Sequence, residues 1–164
     1  MRITKIFFAI LALAIVSCKP QPQGGDGNTT AQTKWGEEGT IVGEWALTSW
    51  ADQSEARPEV YIAFNEDNTF DLYQQQYSVV WFRFHGTYSL NGTTLTGSYE
   101  DGTPWACNYT VDYGTQEEER RLKLTSVSDK ADVAVYAEEQ IPTDIIDEAK
   151  DPENVRSVAF KRFL

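Results

Sequence analysis

His85 is the sole histidine of a 164-residue chain that carries two cysteines, Cys18 and Cys107, and 25 acidic residues against 14 basic ones. Nucleophilic catalysis with a histidine base would have to be built around His85. That residue alternates out of phase with Phe82, Phe84 and Tyr88, which places it on the opposite face of its strand from the large apolar side chains. No paired cysteine or histidine spacing suits zinc, and neither a glycine-rich phosphate loop nor a Gly-x-Ser-x-Gly elbow is present. The carboxylates are spread through segments of another kind. Glu117, Glu118 and Glu119 adjoin Arg120 and Arg121 in a charge run typical of a solvated loop or hairpin end. Glu66, Asp67, Glu100 and Asp101 fall at turns, where such residues serve backbone geometry, and no acidic loop has the alternating ligands and terminal Glu of a calcium loop. These residue types argue for no catalytic set, no metal site and no cofactor.

Cys18 carries the clearest chemical signal. Arg2 and Lys5 precede eleven apolar residues, Ile6 to Val16, and Ser17-Cys18 then meets polar, Pro-rich sequence. A cationic start, a short apolar stretch and a small residue before the cut make a secretory signal peptide, too short for the roughly 20 apolar residues of a membrane span. Ile15-Val16-Ser17-Cys18 resembles the bacterial lipobox, which implies cleavage before Cys18 and acylation of that cysteine, with palmitate among the usual chains. Residues 1–17 are then the signal peptide. Two or three acyl chains hold a protein durably to a bilayer, whereas one holds it marginally. Lys19 lacks the acidic signal that retains some lipoproteins in the inner membrane, which points to an outer-membrane anchor in the cell envelope. Residues 18–39 follow as a flexible tether, poor in large apolar groups and rich in Pro, Gly, Gln and Thr.

Residues 40–164 are enough for one domain and too few for two. A 41% hydrophobic and 13% aromatic content builds a core. The net charge of -11 sets this surface against polyphosphates, because nucleic-acid binding depends on neutralising phosphates with Lys and Arg. With Cys18 committed to lipid, Cys107 has no disulfide partner and reads as a small buried apolar residue in a strand-like run.

From Ile41 onward apolar residues recur at every second position, in short runs separated by turn residues. Gly43, Trp45 and Leu47 share one face, as do Val60, Ile62 and Phe64, and then Phe70 and Leu72 after the turn Asn65-Glu66-Asp67-Asn68. Phe82, Phe84, Gly86, Tyr88 and Leu90 alternate with polar residues up to Asn91-Gly92, a strong hairpin signal. Leu95, Gly97 and Tyr99 follow, then Trp105, Cys107, Tyr109 and Val111, then Leu122 and Leu124, then Val133 and Val135, and a last strand around Val158 and Phe160. A helix that starts near Pro142 shares one side among Ile141, Ile145, Ile146 and Ala149 before Asp151-Pro152. The fold class is all-β: an up-and-down antiparallel barrel of about eight strands with one short helix before the last strand. A two-sheet sandwich has nearly the same pattern, but consecutive hairpins without a long crossover favour closure, which removes unpaired edges.

Three ordered motifs, Val42-Gly43-Glu44-Trp45-Ala46-Leu47, the run from Tyr61 to Phe70, and the run from Gly97 to Trp105, resemble the bacterial lipocalin-like lipoprotein family. The resemblance covers about residues 40–140. It implies a lipocalin-like barrel with a broad binding role and no settled ligand, and a basic residue packed on Trp45, for which Arg162 is the candidate. The paired cysteines of many secreted lipocalins are absent.

Trp45, Phe64, Phe82, Phe84, Tyr88, Tyr99, Trp105 and Tyr109 are the candidate ligand-binding residues, directed to a common interior. They are either a filled core, since each ring buries about 150–250 Å², or the lining of a pocket for a small hydrophobic ligand. A filled barrel would instead act as a protein-interaction or inhibitor module with an envelope protein as partner. Trp50, Tyr73, Trp81 and Tyr136 fall out of phase with the core and, if gathered, would form a contact surface for protein or glycan. The membrane lipid met through acylated Cys18 is the remaining partner.

Overall fold

Period-two alternation carries through to the backbone. The computed structural model describes residues 32–51, 58–75, 79–152 and 162–164, so the signal peptide, Cys18 and the strand expected around Val158 and Phe160 lie outside the described residues. Among the described residues nine strands run in chain order: β1 Lys34–Glu37, β2 Gly43–Trp50, β3 Glu59–Phe64, β4 Thr69–Gln75, β5 Phe82–Asn91, β6 Thr94–Tyr99, β7 Tyr109–Gln116, β8 Glu119–Ser126 and β9 Val133–Glu138, followed by helix α1, Thr143–Glu148. Each of β2 to β9 pairs antiparallel with the next, and β9 returns to β2. The sheet therefore closes into an eight-stranded up-and-down barrel, as the sequence predicts, with β1 as an extra strand.

β1 corrects the sequence-based tether, which runs to residue 39. β6 pairs with β7 only at Thr94↔Thr110 and Leu95↔Tyr109, which leaves the far part of that β7 edge open. Lys34, Trp35 and Glu37 cover it by pairing with Thr115, Gly114 and Tyr113. Trp35, the one large apolar side chain of the segment, lies under the Lys123 ammonium at 4.4 Å from its ring centroid.

The two barrel ends differ. At one end β3–β4, β5–β6 and β7–β8 are joined by turns of two to four residues; at the other the connections 51–58, 76–81, 100–108 and 127–132 are longer. We call the second end the mouth. At the tight end the β5–β6 hairpin pairs Asn91 with Thr94, so Gly92 and Thr93 are its central residues and Gly92 takes the positive φ of 60°. The turn thus sits one residue later than an Asn91-Gly92 turn. The β7–β8 turn pairs Gln116 with Glu119, and Glu117 and Glu118 adopt φ of 53° and 70°. Two-residue turns of this hand favour Asn-Gly, and left-handed backbone disfavours a residue with a long side chain. Replacing Glu117-Glu118 by Asn-Gly should stabilise the barrel by about 1 kcal/mol, read as a rise of a few degrees in the thermal midpoint.

Inward residues follow the expected phase in β2 to β8, with Trp45, Ile62, Phe70, Leu72, Leu95 and Leu122 fully buried. β9 is the exception. The sequence pattern selects Val133 and Val135 as inward, whereas Ala134 and Tyr136 are buried. Register decides it: Tyr136 faces Leu122 and Ala134 faces Leu124, both core residues, and directly opposed residues share a face. Val133-Ala-Val-Tyr-Ala137 is apolar in both phases, so alternation cannot choose.

α1 lies on the outside of the barrel. Ile141 and Ile145 join Tyr73 in a second cluster with Tyr61, Ala63, Trp81 and Ala149, over the outer faces of β3 and β4. Ile146, expected on the same side, is exposed because it is one residue past Ile145 on a single short turn. Pro142 stands just before the helix, its carbonyl accepting from the Ile145 amide at 3.0 Å. Tyr73 and Trp81 are thus covered by the helix, Tyr136 is interior and Trp50 stacks edge-on with Phe163 at 5.3 Å. The four aromatics form no common outer surface, which corrects the contact-surface expectation.

Candidate functional site

All eight candidate residues are buried and belong to one core cluster. The barrel nevertheless divides them. Trp45, Phe64 and Tyr88 sit at the tight end, where the Trp45 indole donates to Ile41 O at 2.8 Å, Phe64 and Tyr88 meet edge-on at 5.0 Å, and the Tyr88 hydroxyl donates to Asn65 O at 2.9 Å. Phe82, Phe84, Tyr99, Trp105 and Tyr109 lie toward the mouth, at the start of β5, the end of β6, and the β6–β7 connection with the start of β7. Only this second group can border an opening.

The basic residue at Trp45 is Arg120, not Arg162. Its guanidinium lies 5.1 Å from the Trp45 ring centroid, pairs with Glu138 and donates to Thr40 O at 2.7 Å. Arg120 follows the β7–β8 turn at the tight end, the same end as Trp45, whereas Arg162 is at the mouth. The charge run that reads as solvated therefore also supplies the cation that covers the tryptophan.

Trp105 reaches the interior from an irregular connection rather than from a strand. Residues 100–108 fold back so that the Trp105 amide donates to Gly97 O at 3.0 Å, and Pro104 bridges to Ser98. The indole then rests on Gly97, where a Cβ would come within 2.4 Å of the ring. Its edge-on neighbours are Phe70 at 5.1 Å and Tyr109 at 6.2 Å. Cys107, expected as a buried strand residue, is half-buried in the same connection and hydrogen-bonds the Tyr109 side chain.

Residues 162–164 occupy the mouth. Leu164 is 1% exposed in the core cluster and its main-chain oxygen accepts from the Tyr99 hydroxyl at 2.8 Å. The Phe163 amide donates to the buried Gln74 side chain at 2.9 Å. Arg162 pairs with Asp101 and lies over the Tyr99 ring at 4.3 Å. The Arg162 guanidinium and the Thr103 amide hold the Asp101 carboxyl well below the usual carboxylate range. Burial pushes the Tyr99, Tyr109 and Tyr136 hydroxyls upward, so all three remain protonated donors at neutral pH. Two donors of the interior meet no partner among the described residues, the Tyr136 hydroxyl in mid-barrel and the Trp105 indole N–H toward the mouth. Tyr136 is the residue that sequence phase sends outward, and only its pairing with Leu122 signals otherwise.

Outside the interior, a cleft of about 480 Å³ runs beside the mouth between Arg83, His85, Asp101, Asp151 and Arg162. It exists because β5 extends beyond the end of β6 at Tyr99, and residue 150 covers only part of the free edge through Arg83 N to Lys150 O at 3.0 Å. Arg83, His85 and Arg162 each face a carboxylate. Arg83 donates to Asp71 at 2.7 Å, and the His85 Nδ1 is 3.0 Å from the same carboxylate. His85 is thus outward-facing, and its ring meets the Asp71 carboxylate rather than a hydroxyl or thiol nucleophile. A second cleft, about 520 Å³, borders Leu47, Pro58, Glu59 and Tyr61 on the barrel wall.

Residues 41–126 match the lipocalin-like domain family. The match begins just before β2 and ends with β8, and β9 then closes the ring. No curated protein matches the chain.

Proposed function

The chain belongs to the lipocalin-like domain family, a ligand-binding or carrier type of barrel, and on that premise we propose that it is a lipid-anchored envelope protein that takes a small hydrophobic molecule at the barrel mouth. The observation that carries the reading is the asymmetry of the barrel. Trp45, Arg120 and three tight turns seal one end, whereas long connections and aromatic rings border the other, where residues 162–164 lie. Pockets of this kind are mostly apolar with a few placed polar groups, and the mouth offers five aromatic candidates with buried hydroxyl donors. Ligand-binding residues in this reading are Phe82, Phe84, Tyr99, Trp105 and Tyr109; Trp45, Phe64 and Tyr88 support the closed end. The family and the surroundings of His85 favour binding over catalysis.

The envelope location rests on the signal sequence and the lipobox-like Ile15-Val16-Ser17-Cys18. Palmitate labelling of the chain in its host should be lost on Cys18→Ser. Native mass spectrometry of the protein from its own host, before and after organic extraction, tests the binding role. A reproducible small-molecule adduct that extraction removes is the expected result; a bare mass in both samples overturns it.

A second reading rests on the ring contacts of 5.0–6.2 Å through the interior, which describe a filled barrel. In that reading the outer surface binds an envelope protein, and the bare mass is the expected outcome.

A further inference from the structure

β1 lies ahead of the family match, which begins at residue 41, yet the barrel has a seat built for it. Trp35 pairs with Gly114, and only a glycine leaves that room: a Cβ there would stand 2.3 Å from Lys34 O and 2.8 Å from the Trp35 ring. The Lys123 ammonium lies 4.4 Å from the Trp35 ring centroid and pairs with Asp112 at 2.7 Å. The same Asp112 carboxylate accepts from the Gly36 amide at 3.1 Å, and the Thr115 hydroxyl donates to Glu37 at 3.2 Å. Gly39 then rests on the Tyr113 ring, where a Cβ would come within 2.7 Å.

The direction of β1 gives the seat its meaning. Lys34 stands opposite Thr115, and the Thr33 hydroxyl donates to the Gln116 side chain at 3.1 Å, so the chain enters the folded domain at the tip of the β7–β8 hairpin. That tip is at the tight end, as is Gly43, where β2 begins opposite Phe64. Cys18 and Thr33 are fifteen positions apart. A stretch of that length spans at most about 50 Å, and a coil of that length averages about 20 Å. The ten residues of β5, tilted to the axis, make the barrel about 25 Å tall. A mouth turned to the lipid would hold Thr33 farther from it than that average, with a loss of conformations that a tight end turned to the lipid does not incur. Neither end offsets this by adsorbing to an anionic leaflet: Glu66, Asp67, Glu117 and Glu118 lie at the tight end, and Glu100, Asp101, Asp129 and Asp132 at the mouth.

We propose that β1 is a mount: it delivers the lipid tether to the tip of the β7–β8 hairpin and sets the barrel with its closed end toward the anchoring bilayer and its mouth toward the aqueous compartment. Molecules then reach the mouth through water rather than by lateral diffusion out of the anchoring bilayer. The inference rests on the lipid-anchored reading above.

The test is energy transfer on vesicles that carry the acylated full chain, purified from host membranes, in phosphatidylcholine with an acceptor dye on a fraction of the headgroups. With Cys107→Ser in both proteins, the donor dye is placed by Glu66→Cys in the β3–β4 turn at the tight end or by Lys130→Cys in the β8–β9 connection at the mouth. Transfer from position 66 should exceed that from position 130 about twofold. Trp35→Ala, which empties the seat and lengthens the free stretch, should narrow that difference. Equal or greater transfer from position 130 overturns the orientation, and would mean that Val79 and Val127, exposed aliphatic residues of the mouth connections, hold that end at the lipid. A difference that Trp35→Ala leaves unchanged overturns the mount. Flotation of the vesicles separates these results from a failure of the anchor: a chain that does not float overturns the lipid-anchored reading and this inference with it, whereas a floated chain with the wrong transfer overturns this inference alone.

Discussion

Gly86→Ala should destabilise the barrel by about 3 kcal/mol, a large fraction of the roughly 5–15 kcal/mol that separates the folded and unfolded states of an ordinary domain. Gly86 is paired with Tyr99 on one side and Phe70 on the other, in the middle of the wall. A Cβ there would stand 2.1 Å from Ser98 O, 2.7 Å from the Phe70 ring and 2.8 Å from Tyr99 Cα. Two of those atoms are backbone, so no rotamer change relieves the clash. β5 and β6 must separate or the Phe70–Tyr99–Trp105 group must shift, and either change reaches the mouth. Chemical denaturation with circular dichroism measures the loss. A midpoint within error of the wild type would mean that the two strands do not approach so closely. Gly97 makes a useful contrast, since its Cβ would meet only the Trp105 ring among its nearest neighbours, a side chain carried by an irregular connection that can move.

Both glycines are visible in the sequence as interruptions of strand runs, but their meaning there is open to several readings. A glycine in a strand marks a bend, a bulge or a close approach, and the partner that approaches comes from elsewhere in the chain. The parts of the fold that were legible are those for which local chemistry suffices. Phe82 to Leu90 alternate so cleanly with polar residues that one buried face follows from the pleat alone, and Asn65 to Asn68 carry their turn in their own side chains. Barrel closure and the family follow from such segments taken together.

What was not legible depends on long-range pairing. Val133-Ala-Val-Tyr-Ala137 has apolar residues in both phases, so Tyr136 could be assigned inward only from its register with Leu122. Lys34–Glu37 has weak strand character of its own and is ordered by the β7 edge that β6 leaves open. Arg120 looks like one member of a solvated charge run because nothing local reveals that the turn at Glu117-Glu118 brings it over a tryptophan 75 positions earlier in the chain. The candidate site divided for the same reason. Alternation says which side chains point inward, but the height of each along the barrel axis is set by pairing, and that separates Trp45, Phe64 and Tyr88 from the residues at the mouth.

Trp45→Ala should be the most damaging single change at the closed end, at about 4 kcal/mol. Trp45 is fully buried, and its truncation opens a large void between β2 and its neighbours β3 and β9 that the closed sheet cannot collapse to fill. The loss has a polar part as well, because Ile41 O would lose the indole donor that holds the segment entering β2. Trp45→Phe separates the two contributions: it restores most of the ring and omits the donor, so roughly 2 kcal/mol should be lost. Chemical denaturation of both variants tests this division: Trp45→Phe should fall about midway between the wild type and Trp45→Ala, whereas a loss equal to that of Trp45→Ala would assign the effect to the missing indole donor rather than to the void.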